Sequence, residues 1–198
     1  SEEMGIGFAL EKWDDLLKFA QVSSLSIELM KEMGLLKTGE RGNIYDGYRN
    51  RIMIPIRDKF RRIIGFTARD CSGDKSAAKY INSNESDIYH KQDSIFGIDT
   101  AIRQAAKDDK FYLVEGAPDA MQLKRIRVNN AVAPLGGAWT ESQMEQFKKY
   151  ATKVCFLPDA DPPNFEKGEK LGAGIRNTMR NGLLAMKSGL GVSVKELP

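Results

Sequence analysis

Cysteine and histidine are scarce in this sequence: its 198 residues hold two cysteines and one histidine. Two cysteines cannot build a disulfide framework. Cys71 lies in a polar stretch and Cys155 in an apolar run that suits a small buried hydrophobe, so a reducing, cytoplasmic setting is expected. His90 stands alone and neither cysteine has a partner at ligand spacing, so nothing reads as a zinc site. Long apolar runs are missing as well. No segment approaches the roughly 18 residues that a membrane span needs, and the start, Ser1-Glu2-Glu3-Met4, lacks the charged-then-apolar pattern of a secretory signal. No internal repeat and no heptad pattern is present, and no Ser-His or Cys-His arrangement marks a side-chain nucleophile.

What is present is an uneven charge. The formal net charge of +3 is modest. Between Arg41 and Arg69, however, the chain carries Arg41, Arg49, Arg51, Arg57, Lys59, Arg61, Arg62 and Arg69 against only Asp46 and Asp58. One sign held over so short a stretch is either a solvated face or a surface for a polyanion. A basic half and an acidic edge together suit an enzyme that handles phosphodiester backbone and cations.

The patterning divides the chain. Residues 11–20, with Trp13, Leu16, Leu17 and Ala20 at helical spacing, and residues 24–33, closed by Gly34, read as short helices. From Arg51 the period changes to two, through Ile52, Ile54 and Ile56, and a second run holds Ile63, Ile64 and Phe66. Asp58-Lys59-Phe60-Arg61 would close a hairpin between them, and Pro55 points to an edge position. Tyr80-Ile81 adds a short strand after a Ser/Gly-rich loop over 71–78. Helix 98–107 then leads to an alternation: strand 111–115, helix 118–127, strand 130–135, helix 140–151, strand 153–158, helix 169–187 and strand 191–196. Pro118 suits a first helical turn, and Thr140 with Gln143 forms a capping box. Such alternation predicts a parallel sheet with right-handed crossovers.

Two of these strands end in acid. Phe111-Tyr112-Leu113-Val114-Glu115-Gly116-Ala117-Pro118-Asp119 is one signature, and Val154-Cys155-Phe156-Leu157-Pro158-Asp159-Ala160-Asp161 is the other. In an open α/β sheet, ligands bind outside the carboxyl ends of the strands. Asp159 and Asp161, two apart in an extended segment, face one side. With Glu115 they would gather carboxylates that repel one another unless a cation sits between them, and hard oxygen donors suit Mg²⁺. Asp119, one helical turn past Glu115, either reaches back to that site or complements its own helix dipole.

The joint pattern, strand-Glu-Gly-x-x-Asp followed by strand-Asp-x-Asp, resembles the Toprim domain over roughly residues 110–198. A second resemblance covers the first half. Ile6-Gly7-Phe8-Ala9, Trp13-Asp14-Asp15-Leu16-Leu17, Tyr48 through Asp58, Ile64 through Arg69, Lys79 through Ser83, His90-Lys91 and Phe96-Gly97 look like successive segments of the RNA-polymerase core of bacterial DnaG-type DNA primases, in that family's order. The resemblance implies a Toprim-type parallel sheet flanked by helices (109–198, truncated at its carboxyl end) preceded by a smaller mixed α/β basic subdomain (1–108). It implies catalytic Mg²⁺ or Mn²⁺ on Glu115, Asp159 and Asp161, with Asp119 supporting the catalytic site. It further implies that Arg49, Arg51, Arg69, Lys79 and Lys91 line the groove for template DNA and nucleotide triphosphates. Tyr48, Tyr80 and Tyr89, near those residues, are either base-stacking platforms or core.

The sequence departs from the family pattern in places. Ala117-Pro118 replaces bulkier residues. Asp159-Ala160-Asp161 replaces Asp-Gly-Asp and is followed by Pro162-Pro163 and a longer loop before Gly172-Ala173-Gly174, a style that points to a phage or mobile-element primase. The family's further acidic motif, its amino-terminal zinc-binding domain and its helicase-contacting domain have no counterpart here, so the chain reads as an excised core. The activity expected is primer synthesis: nucleotide triphosphates joined into short RNA on a single-stranded DNA template in DNA replication, by a monomer that meets the replicative helicase through a further domain. A Toprim nuclease and a non-catalytic single-stranded-DNA-binding module are the alternatives. A topoisomerase is disfavoured because this sequence shows no evident partner domain with a catalytic tyrosine, and an Asp-x-Asp sugar transferase would leave the basic half unexplained.

Overall fold

The computed structural model describes residues 4–159 and 172–195. Its contacts group the chain into two compact units, residues 1–56 with 63–90, and residues 57–62 with 91–198. The hairpin tip at 57–62 thus groups with the second unit, and the last crossing between units falls between His90 and Lys91.

The first unit holds β1 (Gly7–Ala9), α1 (Asp15–Val22), α2 (Ile27–Glu32), β2 (Leu36–Thr38), β3 (Ile44–Asp46), β4 (Arg51–Arg57), β5 (Ile63–Asp70) and β6 (Tyr80–Asn82). Four strands form one sheet in the order β1-β4-β5-β6, and β2 pairs with β3. β1 pairs antiparallel with Arg51, Ile52 and Met53 alone. Pro55 therefore stands past the last residue that β1 reaches, where its missing N–H removes no bond on that side.

Helix α1 starts four residues later than its apolar spacing suggests. The buried Asp46 of β3 accepts the N–H groups of Leu16 at 2.8 Å and Leu17 at 3.0 Å. A carboxylate thirty residues away thus satisfies first-turn donors that no local side chain reaches. Trp13 is left outside the helix and 60 % exposed. Helix α2 is capped locally, Ser26 Oγ accepting from Leu29 N–H. Past its end Gly34 takes a φ of +73°, the left-handed value a glycine supplies without strain.

The second unit holds β7 (Ile95–Phe96), α3 (Ile98–Asp108), β8 (Phe111–Leu113), α4 (Ala117–Arg125), β9 (Ala131–Pro134), α5 (Glu141–Phe147), β10 (Lys153–Phe156), α6 (Ala173–Lys187) and β11 (Gly191–Val194). The sheet order is β11-β10-β8-β9-β7. β11, β10, β8 and β9 run parallel, and β7 joins β9 antiparallel. β7 has only two residues and was beyond the reach of periodicity. Ile98, Ala101 and Ala105 of α3 enter this unit's core with Phe111, Val132, Phe147, Val154 and Ala185. Phe147 packs on Phe111 with ring centroids 4.7 Å apart and meets Trp139 edge-on at 5.5 Å. Each such buried ring contributes about 1.5–3 kcal/mol by leaving water. The capping box at α5 is present as its sequence indicates: Thr140 Oγ1 accepts from Gln143 N–H and Gln143 Oε1 from Thr140 N–H.

A surface clamp ties α3 to β10. Asp109, left-handed at φ 50°, ends α3. Its carboxylate accepts the Thr152 N–H at 2.7 Å and the Thr152 hydroxyl at 2.6 Å, and pairs with Lys153 at 3.2 Å. The Thr152 bonds, with Lys153 behind them, draw the Asp109 pKa down to about 2 from 3.8. A lowered carboxylate pKa stabilises the fold above the unfolded value, and that contribution fades as pH falls from 3.8 towards 2. Asp109→Asn should therefore lower the urea midpoint at pH 7, and the gap to the parent chain should narrow steadily below pH 4. A gap that is independent of pH would show that the charge is irrelevant.

Candidate metal centre and basic residues

Parallel pairing decides where the acidic signatures meet. β8 and β10 are adjacent, with Leu113 opposite Phe156, and the ladder runs on as Leu157 N–H donates to the Leu113 carbonyl at 2.9 Å. Residues just past both strands therefore emerge at one carboxyl edge. Glu115 and Asp159 do so, and both are exposed. Glu115 Oε1 accepts the backbone N–H of Asp159 at 3.3 Å, so two residues 44 apart in sequence share one spot.

Gly174, in the first turn of α6, permits this approach. A β-carbon there would lie 2.6 Å from Glu115 Oε1 and 2.8 Å from the Asp159 carbonyl oxygen. The sequence displays this glycine but no signal for its role, which is a matter of tertiary proximity alone.

Asp119 takes a local position. Its Oδ2 accepts the Gly116 N–H at 2.9 Å at the start of α4, closing the first turn. Asp161 lies outside the described residues. Among the described residues no set of three or more Asp, Glu, His or Cys side chains is gathered as a ligand cluster. The donor chemistry at the edge nonetheless fits a hard divalent cation, since Glu115 and Asp159 present carboxylate oxygens to solvent where Mg²⁺ keeps several waters.

The basic residues take different environments. Arg49 lays its guanidinium over the Trp13 ring, 3.7 Å from the centroid, and donates to the Asp46 carbonyl. Arg69 is exposed on β5, 5.9 Å from the Tyr80 ring centroid, and Lys79 is exposed just before β6. Lys91, also exposed, runs along Gly136 in the loop after β9. Arg51 differs from all of these. It is 9 % exposed, pairs with Asp70 at 3.3 Å and donates to the carbonyls of Ala78 at 2.9 Å and Ala68 at 3.4 Å. Its guanidinium braces β4, β5 and the turn that leads to β6.

Of the three tyrosines, Tyr48 and Tyr89 belong to the core rather than to any stacking surface. Burial raises the pKa of both phenols, and the Ser83 hydroxyl bonds that of Tyr48 at 3.2 Å. His90 is exposed beside Glu85 at 3.3 Å. Among the described residues no helix is long and apolar enough to cross a membrane.

Known proteins are similar to this chain in sequence and fold. The family model for the DNA primase catalytic core, N-terminal domain, matches residues 1–102, and a Toprim-like model matches residues 112–184. The DNA primase of Salmonella typhimurium is 37% identical over 160 residues, 81% of this chain and 27% of that protein. The crystal structure of the Aquifex aeolicus primase zinc-binding and RNA polymerase domains superposes with a TM-score of 0.86 at 31% identity, covering 99% of this chain and 45% of that one. A structure of the DnaG primase catalytic domain bound to single-stranded DNA superposes at 0.77 with 30% identity, over 100% of this chain and 61% of that one. The chain belongs to the bacterial DNA primase family and joins the amino-terminal part of the primase catalytic core to a Toprim unit. It spans about a quarter of the length of the curated relatives it matches.

Proposed function

We propose that this chain is the nucleotidyl-transferring core of a DNA primase, which makes short RNA primers from nucleotide triphosphates on single-stranded DNA. One observation carries the reading: the Glu115 carboxylate meets the Asp159 backbone at the shared carboxyl edge of two parallel strands. Glu115, Asp159 and Asp161 hold Mg²⁺ or Mn²⁺ in this reading. Held there, such ions would supply Lewis-acid chemistry, lowering the pKa of a primer 3′-hydroxyl and offsetting charge on the leaving pyrophosphate. Asp119 keeps the turn after Glu115 in shape through its bond to Gly116. Arg49, Arg69, Lys79 and Lys91 hold template and triphosphate oxygens without reading sequence, while Arg51 keeps β4 and β5 in place for them.

The hydroxyl attacks the α-phosphate and pyrophosphate leaves, with no covalent enzyme intermediate. The likeness to a structure described as bound to single-stranded DNA supports the template assignment. A cytoplasmic monomer that meets the replicative helicase through another part of a longer protein completes the proposal.

Asp159→Ala in the full-length protein should reduce primer yield on single-stranded DNA, with Mg²⁺ and nucleotide triphosphates, by about 100-fold or more, because metal stabilisation of developing charge is worth several kcal/mol. Unchanged yield would remove Asp159 from the metal site. Cleavage of labelled DNA with Mg²⁺ and no nucleotides would favour a nuclease instead.

A further inference from the structure

Helix α6 carries polar residues on its inward face beside Ala185 of the core. Met179, Leu183 and Met186 are exposed, whereas Thr178 and Asn181 on its inward face are 8 % and 7 % exposed. Thr178, Asn181 and the half-buried Asn177 line a pocket of about 200 Å³ in the second unit. Its wall is completed by strand-end residues such as Leu113 and Leu157, by Trp139, and by Glu115 at the same edge of the sheet. The Thr178 and Asn181 side chains make no hydrogen bond to any described residue. Their polar atoms are not among the sealed, unpartnered ones of the described residues and open onto the cavity, so a group that enters it can bond them.

The lining sets the chemistry of that group. Among the described lining residues there is no lysine or arginine, and the one charge is the Glu115 carboxylate. A neutral group with donors and acceptors on one edge and an apolar face suits these residues. Asparagine carboxamides offer paired donor and acceptor atoms of the kind that match base edges, and the buried Trp139 contributes apolar wall. The volume falls below the roughly 300 Å³ at which drug-sized pockets begin, so one ring system enters and the rest of its molecule stays outside.

We infer that this pocket is a nucleobase subsite, with Asn177, Thr178 and Asn181 as its polar contacts. It takes the base of a ribonucleotide whose sugar and phosphates remain outside, at the Glu115 edge. That it serves the incoming nucleotide rests on the nucleotidyl-transfer reading above; that it takes a base does not.

The test uses the whole chain, nucleosides that lack phosphates, and no divalent ion. Titration with adenosine, guanosine, cytidine or uridine should move the side-chain amide NMR signals of Asn177 and Asn181 saturably. Inorganic triphosphate should leave them still. Thr178→Val, which keeps the volume and removes the hydroxyl, should weaken nucleoside binding about fivefold, one hydrogen bond's worth. Asn181→Leu is the second variant, and the amide spectrum of each reports whether it is folded. The inference is overturned if no nucleoside moves those signals, if triphosphate alone moves them, or if both folded variants bind as tightly as the parent. Nucleoside binding that persists in a full-length protein without primer synthesis would sink the enzymatic reading and leave the pocket assignment standing.

Discussion

On the proposed function, Gly174→Ala should cut metal-dependent primer synthesis about 100-fold while leaving the protein folded. The added methyl carbon meets Glu115 Oε1 at 2.6 Å and the Asp159 carbonyl oxygen at 2.8 Å, both closer than carbon and oxygen approach. The Glu115 carboxylate can swing aside, but the Asp159 oxygen belongs to the backbone and moves only if the strand end moves. Either response separates the two acidic residues. Displacing a reacting constellation by about 1 Å can cost 100-fold in rate, and that is the loss expected in the full-length protein, with weaker Mn²⁺ binding beside it.

Stability should change little. Alanine improves helix propensity by up to about 1 kcal/mol over glycine, which offsets part of an overpacking cost of about 1–3 kcal/mol. Gly182→Ala is the control on the same helix, since its nearest new neighbour is Val192 Cγ1 at an ordinary 3.6 Å. Full activity in Gly174→Ala, or equal loss in Gly182→Ala, would refute the close-approach argument.

Arg51→Met should destabilise the first unit by about 3 kcal/mol, the low end of the range for breaking a buried ion pair. The substitution removes the partner of Asp70 and two bonds to the carbonyls of Ala68 and Ala78. Asp70 keeps the Ser72 N–H at 3.1 Å and the Ser72 hydroxyl at 2.6 Å, which is why the low end applies. For a chain of this length the melting temperature should fall by about 6–12 °C. Adding Asp70→Asn should recover much of the loss, because no uncompensated carboxylate then remains. Under conditions where Arg51→Met is folded, its affinity for single-stranded DNA should match the parent's. A stable Arg51→Met chain that binds DNA poorly would instead make Arg51 a phosphate contact.

Much of the second unit was legible because local signals agreed there. Thr140 and Gln143 announced α5, Pro118 the first turn of α4, and apolar runs of four or five residues the parallel strands. Those strands end in Glu115 and Asp159, so the strand register that buries the runs also delivers the carboxylates to one edge. The first unit was read less well. The spacing of Trp13, Leu16, Leu17 and Ala20 is helical, yet Trp13 is not in the helix, because Asp46 supplies the first-turn bonds two residues further on. No window of sequence contains that pair. Arg51 looked like its neighbours Arg49 and Arg69, and only the position of Asp70 distinguishes a brace from an exposed cation.

By itself the sequence determined the alternation of strand and helix, the acidic ends of β8 and β10, and the kinship with primases, since each is written in residues close together or in ordered motifs. The tertiary structure alone decided which arginine is buried, which glycine makes room for Glu115, and that α6 turns Thr178 and Asn181 inward. Those outcomes depend on distances between residues remote along the chain, and a hydrogen bond or a van der Waals radius acts through space without regard to sequence separation.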